Sequence, residues 1–186
     1  CKCEYLIFSN CFDVIFTAHP DEVAEKWLGM GGGDDVMFNC EKDLFPPSRL
    51  GHRFPDTGSP WRYLNSGLYI GKPENILAML ESMWLDEICD DHPAPGTGLH
   101  GSGQVNVVDQ NWFQLLYAAQ PVPITLDTKC ELFQCFSACT WDEFDLSQKD
   151  RVVNKVTKTT PLILHCNGGA KNEMLPDLCR KFGLTP

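Results

Sequence analysis

The stretch that decides the fold class is Glu4-Tyr5-Leu6-Ile7-Phe8-Ser9-Asn10-Cys11-Phe12-Asp13-Val14-Ile15-Phe16-Thr17-Ala18. Two short apolar runs, residues 5–8 and 14–16, flank a polar break, and runs of this length read as buried strands of an α/β sheet. His19-Pro20-Asp21 then opens a helix, since Pro and Asp suit a first helical turn. Val23, Ala24 and Trp27 supply its apolar face, and Gly29, Gly31, Gly32 and Gly33 stop it.

The same alternation continues outward from this segment. Residues 35–40 read as a strand, 45–60 as a Pro- and Gly-rich loop, and 63–71 as a strand interrupted by Asn65-Ser66-Gly67. An amphipathic helix is predicted over 73–88, with Ile76, Leu77, Leu80, Met83 and Trp84 on one face. A Pro-, Gly- and His-rich loop follows over 89–103, and 107–119 reads as a helix. Short strands are expected at 124–126, 132–134 and 162–164, and a final helix at about 173–182. Strands alternating with helices point to an α/β architecture, and residues 1–186 are read as one domain.

The net charge of −10 argues against nucleic acid as a partner, because phosphate backbones are bound by Lys and Arg clusters. An acidic protein binds an anionic nucleotide when a metal ion mediates the contact. No apolar run approaches the ~20 residues that cross a bilayer. The chain opens at Cys1-Lys2-Cys3 directly before an apolar strand, which reads as a fragment or a processed start. Ten cysteines fit a secretory compartment with some disulfides, or several of them are small buried apolar residues.

Four constellations are able to carry chemistry. Asn10-Cys11-Phe12-Asp13 places oxygen ligands at a strand end, suited to a hard divalent cation, while taken alone it reads first as a turn. Asn65-Ser66-Gly67 puts a glycine inside a strand, marking a ligand's close approach or a bulge. Asp109-Gln110 at a helix start offers a base, or an acid favoured there by the helix dipole. His165-Cys166-Asn167-Gly168-Gly169-Ala170-Lys171 follows a strand; its imidazole is a potential metal ligand and its glycines admit phosphate beside Lys171. No Gly-Lys-Ser/Thr follows the glycines at 29–33, so they are not a phosphate loop. Cys130, Cys135 and Cys139 lack zinc-site spacing, and His92 and His100 lie in the 89–103 loop.

The order and spacing of these constellations carry a resemblance. The segments Phe8–Val14, Arg62–Gly71, Asp109-Gln110, 126–134 and 164–168 are similar to those of the glycosyltransferase domain of procollagen lysyl hydroxylases, within the GT-A superfamily. The resemblance implies a partial GT-A, Rossmann-like domain with a mixed sheet flanked by helices. Asn10, Asp13 and His165 then fall on the metal ligands, with Mn²⁺ the implied ion. Asp109 falls on an acidic residue near the reacting sugar, and Phe45 on an aromatic residue lining the sugar site. Asn65, Ser66, Gly67, Gln110 and Asn167 fall among the substrate-binding positions, and Gly168 and Lys171 in the diphosphate-binding turn.

The implied reaction moves glucose or galactose from UDP-glucose or UDP-galactose to a protein or glycan hydroxyl, in collagen-modifying members on hydroxylysine or its galactose. The implied setting is the endoplasmic reticulum lumen or the secretory route. Two departures stand against this pattern. Asn10 replaces an aspartate, which removes a negative charge from the metal site. The metal motif also begins within the first thirteen residues, so the uridine-binding βαβ unit expected upstream is missing from this chain. A catalytically degenerate binding or scaffold domain, and a disulfide-rich interaction module, are the competing readings.

Overall fold

A computed structural model of the chain describes residues 3–82 and 109–185. The elements in order are β1 (Leu6–Ser9), β2 (Val14–Phe16), α1 (Pro20–Gly29), β3 (Val36–Glu41), β4 (Tyr63–Gly71), α2 (Pro73–Ser82), α3 (Asp109–Ala119), β5 (Ile124–Leu126), β6 (Phe133–Cys135), β7 (Phe144–Asp145), β8 (Val153–Asn154), β9 (Ile163–His165), α4 (Ala170–Glu173) and α5 (Leu175–Phe182). Strands β1-β4-β3-β5 form one sheet and β2-β9-β6 a second, with β7-β8 a small ribbon. Both larger sheets are mixed: β3–β5 and β6–β9 are parallel, and β1–β4, β3–β4 and β2–β9 antiparallel. The α/β expectation therefore holds, in the mixed form implied by the resemblance.

Three apolar clusters hold these layers. Phe38 and Tyr69 of the first sheet pack against Phe113 and Leu116 of α3 and Met79 of α2. Val23 and Trp27 of α1 pack against Leu68 and Ile70 of the first sheet and Phe133 and Ile163 of the second. Trp61, Phe136, Phe144 and Leu178 form the third cluster beside α5. The local signals at α1 act as read. His19 caps it by accepting the Asp21 N–H (3.3 Å) at Nδ1, and Pro20 occupies the first turn. The chain leaves the helix through Gly31 at φ +90, and a Cβ on Gly32 would stand 2.3 Å from Trp27 Nε1, so only glycine fits there.

Several expectations are corrected. β1 is a sheet edge, not a buried strand, with Leu6 and Phe8 exposed, because only β4 pairs with it among the described residues. Asn65-Ser66-Gly67 does not interrupt its strand. β4 runs unbroken, and its register with β3 shifts between Phe38 and Cys40, so β4 bulges there. On α2 the buried residues are Ile76, Met79 and Ser82, while Leu77 and Leu80 face outward. The last helix is two, α4 and α5, broken at Met174, with Pro176 in the first turn of α5. None of the eight described cysteines is bridged, and five are buried, which favours the small-apolar reading over a disulfide framework. Met83, Trp84, Cys1, Cys89, Val107, the 89–103 loop and its His92 and His100 lie outside the described residues.

Asp127 ties the two sheets together at the end of β5. Its buried carboxylate accepts N–H bonds from Glu131 (2.8 Å), Leu132 (2.8 Å) and Phe133 (2.9 Å), and its own N–H donates to the Phe38 carbonyl (2.9 Å). Burial pushes its pKa up to about 6, against the pull of those three donors. Asp127→Ala leaves the donors unsatisfied in the interior. It is expected to lower unfolding free energy by roughly 3 kcal/mol, read as a fall in the urea midpoint; an unchanged midpoint would refute the role.

Candidate functional site

The turn 10–13 joins β1, in the first sheet, to β2, in the second, so it spans the seam between them. Both ends are pinned: the Asn10 N–H donates to the Gly67 carbonyl (2.9 Å), and the Cys166 N–H to the Asp13 carbonyl (2.8 Å). His165, the last residue of β9, pairs in register with Val14 and is carried to the same point. Its Nε2 lies 3.6 Å from Asp13 Oδ1 and 3.4 Å from Asn10 Nδ2. Residues 155 positions apart thus meet.

Asn39 fixes the imidazole from behind. With its amide oxygen accepting from His165 Nδ1–H (3.1 Å), its nitrogen donates to the carbonyls of Asn65 and Leu68; the reversed amide would set its oxygen against those two carbonyl oxygens, acceptor against acceptor. The proton therefore sits on Nδ1, and the Nε2 lone pair faces Asn10 and Asp13. Burial holds the imidazole well below its usual range, outweighing the opposite pull of Asp13, so His165 is neutral at pH 7. Gly67 makes room for it: a Cβ there would stand 2.3 Å from His165 Cε1 and 2.9 Å from Asn10 Nδ2.

A cavity of about 380 Å³ opens at this point. Asn10, Asp13, Phe45, Asn65, Ser66, Gly67, Asp109, Gln110, His165, Asn167 and Gly168 all line it, so all but one of the residues named from the sequence come together. The exception is Lys171, which lies outside the lining with Nζ 5.6 Å from the centre of the Phe12 ring. Phe45 is held by its carbonyl, which accepts from the side-chain amides of Gln110 and Gln114 (2.9 Å for Gln114). Ser66 Oγ donates to Asp109 Oδ1 (3.3 Å), and the Ser66 N–H to Gln110 Oε1 (3.2 Å).

Sequence reading missed three lining residues, Glu41, Asp43 and Ser137. For Glu41 a signal existed. β3 is buried along its whole length yet carries Asn39 and Glu41, and polar residues in a fully buried strand need partners. Glu41 is 3% exposed, and burial raises its carboxyl to about 7 although amide donors pull the other way. Asp43 and Ser137 sit in connecting segments with no such signal.

Asp13, Glu41, Asp43 and Asp109 line the cavity and, among the described residues, no Lys or Arg does, so the lining suits an anionic ligand only with a cation to bridge it. The donors suit a divalent ion: a carboxylate oxygen from Asp13, a neutral Nε2 from His165, and an amide oxygen once Asn10 turns its carboxamide. No group of three His, Cys, Asp or Glu side chains gathers as a metal set among the described residues, and Asn10 is the amide that stands beside the Asp13–His165 pair.

Known proteins resemble this chain along most of its length. The family model of the PLOD GT domain matches residues 2–92. The chain resembles the PLOD-type glycosyltransferase domains. Mouse procollagen-lysine,2-oxoglutarate 5-dioxygenase 2 is 30% identical over 169 residues, covering 89% of this chain and 21% of the mouse protein. The human multifunctional procollagen lysine hydroxylase and glycosyltransferase LH3 is 26% identical over 176 residues, covering 91% of this chain and 21% of its own length. An uncharacterized protein of Acanthamoeba polyphaga mimivirus is 28% identical over 166 residues, covering 89% of this chain and 32% of the viral protein. The chain thus spans from a fifth to a third of the length of these relatives. Its mixed sheets flanked by helices are those of a GT-A-like domain of the PLOD type. No helix among the described residues is long and apolar enough to cross a membrane.

In this PLOD-type cavity the missing side chain of Gly67 sets where the imidazole stands. Gly67→Ala is expected to displace His165 and destabilise the fold by about 1–3 kcal/mol, as overpacking does. The check is the ¹⁵N signal of His165 Nε2 together with the thermal midpoint; both unchanged would show that the contact is slack.

Proposed function

We propose that the chain is the catalytic part of a metal-dependent glycosyltransferase that moves glucose or galactose from a UDP-sugar to a hydroxyl acceptor. The observation that carries this reading is the meeting of Asp13, His165 and Asn10 in a cavity that Ser66 and Asp109 also line. Asp13, His165 and Asn10 would hold Mn²⁺, which when bound supplies positive charge to the departing diphosphate. Asp109 Oδ1, steadied by the Ser66 hydroxyl, is the candidate to receive the acceptor's proton. Phe45, 56% exposed at the cavity, offers an apolar face to a sugar ring, and the Asn65–Gly67 and Asn167–Gly168 segments offer backbone and amide groups to its hydroxyls. Lys171, beside Phe12 outside the lining, is assigned to the diphosphate.

The names of the relatives, procollagen-lysine dioxygenases and a hydroxylase–glycosyltransferase, support a collagen-like acceptor, and the secretory pathway, in the endoplasmic reticulum lumen, is the setting proposed with it. In the full-length polypeptide, Asp13→Ala and His165→Ala are each expected to abolish Mn²⁺-dependent UDP-sugar hydrolysis and transfer. Retained turnover in both variants would reject the metal assignment.

A second reading is a degenerate binding domain, and Asn10 favours it, because an amide in place of a carboxylate weakens the grip on a divalent ion. Calorimetry of the full-length polypeptide with Mn²⁺ and UDP separates the two. Binding without turnover of any UDP-sugar supports the degenerate reading.

A further inference from the structure

Glu41 stands at the centre of a hydrogen-bonded chain that crosses the cavity. Gln110 Nε2 donates to its Oε1 (2.5 Å), and Asn167 Nδ2 to its Oε2 (2.6 Å). Each amide uses its other end on a different wall. Gln110 Oε1 accepts the Ser66 N–H (3.2 Å), and Asn167 Oδ1 accepts the Ser137 N–H (3.1 Å). The order Ser66–Gln110–Glu41–Asn167–Ser137 therefore links β4, α3, β3, the segment after β9 and the segment after β6. Only a carboxylate offers an acceptor to both amides at once.

We propose that Glu41 is a positioning residue of this site: its ionised carboxylate fixes the Gln110 and Asn167 amides and thereby holds the Ser66 wall and the Ser137 wall in register. The network stands on geometry alone; its consequence for turnover rests on the sugar-transfer reading. Charged shells of this kind are strong because both bonds are charge-assisted and buried. Protonation leaves one oxygen a donor that faces an amide N–H, so one of the two amides has to turn.

Burial keeps the proton affinity of Glu41 high, against the pull of the Gln110, Asn65 and Asn167 amides. Asp43 on its own segment adds negative charge. Asp109 from α3, Asp13 from the β1–β2 turn and His165 from β9 share the cavity, and Ser66 and Asn65 from β4 are neutral. Burial keeps the Cys40 and Cys135 thiols protonated. Two cations adjoin Glu41 along the chain or the β3–β4 ladder and are engaged elsewhere: Lys42 with Glu143, and the Arg62 guanidinium with the Phe54 carbonyl.

The test uses the full-length polypeptide, with ¹³C-labelled Glu carboxyls and ¹⁵N-labelled Gln and Asn side chains. The Gln110 and Asn167 amide signals are expected to move together with the Glu41 carboxyl signal, at a midpoint of about 7. Glu41→Gln is expected to abolish that shared titration and to lower kcat roughly ten- to hundredfold with a smaller change in KM, as loss of an outer-shell partner does. Amide signals that ignore the Glu41 titration, or that titrate equally in Glu41→Gln, overturn the proposal. Should Glu41→Gln fail to fold, the wild-type titration alone decides. Shared titration in a protein that turns over no UDP-sugar upholds the positioning network and rejects the sugar-transfer reading instead.

Discussion

The bond from His165 Nδ1 to Asn39 is the constraint on which the site depends. Asn39 lies in β3, where the register with β4 shifts, and its amide nitrogen takes up carbonyls of Asn65 and Leu68 on the bulged strand. One side chain therefore satisfies the backbone of an irregular strand in the first sheet and orients an imidazole belonging to the second. Without that bond the ring is free to carry its proton on either nitrogen. With it, a lone pair points at Asp13 and Asn10.

Burial does the rest of the electrostatic work. An exposed histidine beside a carboxylate gains charge and becomes an ion pair. Here desolvation outweighs Asp13, and the pair stays an imidazole and a carboxylate 3.6 Å apart, a donor set rather than a salt bridge. The same burial raises Glu41 and Asp127, so two of the protein's carboxyls hold protons more tightly in the folded chain than in the unfolded one. The sign follows from linkage. Their contribution to stability is present in full below the unfolded carboxyl range and is lost as pH rises through about 6 to 7. The site thus gives up stability to keep charge in a confined, anion-lined space, a common trade at functional sites.

Much of this was legible in the sequence, for identifiable reasons. The helix α1 follows from its cap, its proline and its glycines, all local signals. The site residues could be gathered because turns and strand ends hold them, where polar side chains stand out against apolar runs. What stayed hidden is tertiary. Leu6 and Phe8 look like core residues until the sheet order leaves β1 at an edge. Leu77 and Leu80 look like the inner face of α2 until Met79 is found beneath it. Glu41 was passed over because a carboxylate ending a strand reads as a surface residue, whereas here amides from two other segments enclose it. Ser137 enters the cavity only through the fold that brings the segment after β6 beside Gly168, and Lys171 lies next to Phe12, outside the cavity lining.

The central claim is that His165 and Asp13 share one divalent ion. Pulsed electron paramagnetic resonance on Mn²⁺ added below one equivalent to the full-length polypeptide addresses it directly. The expected spectrum carries a hyperfine coupling to one imidazole nitrogen that changes on ¹⁵N labelling of histidine and disappears in His165→Ala. A bound Mn²⁺ signal that shows oxygen ligands alone would contradict it.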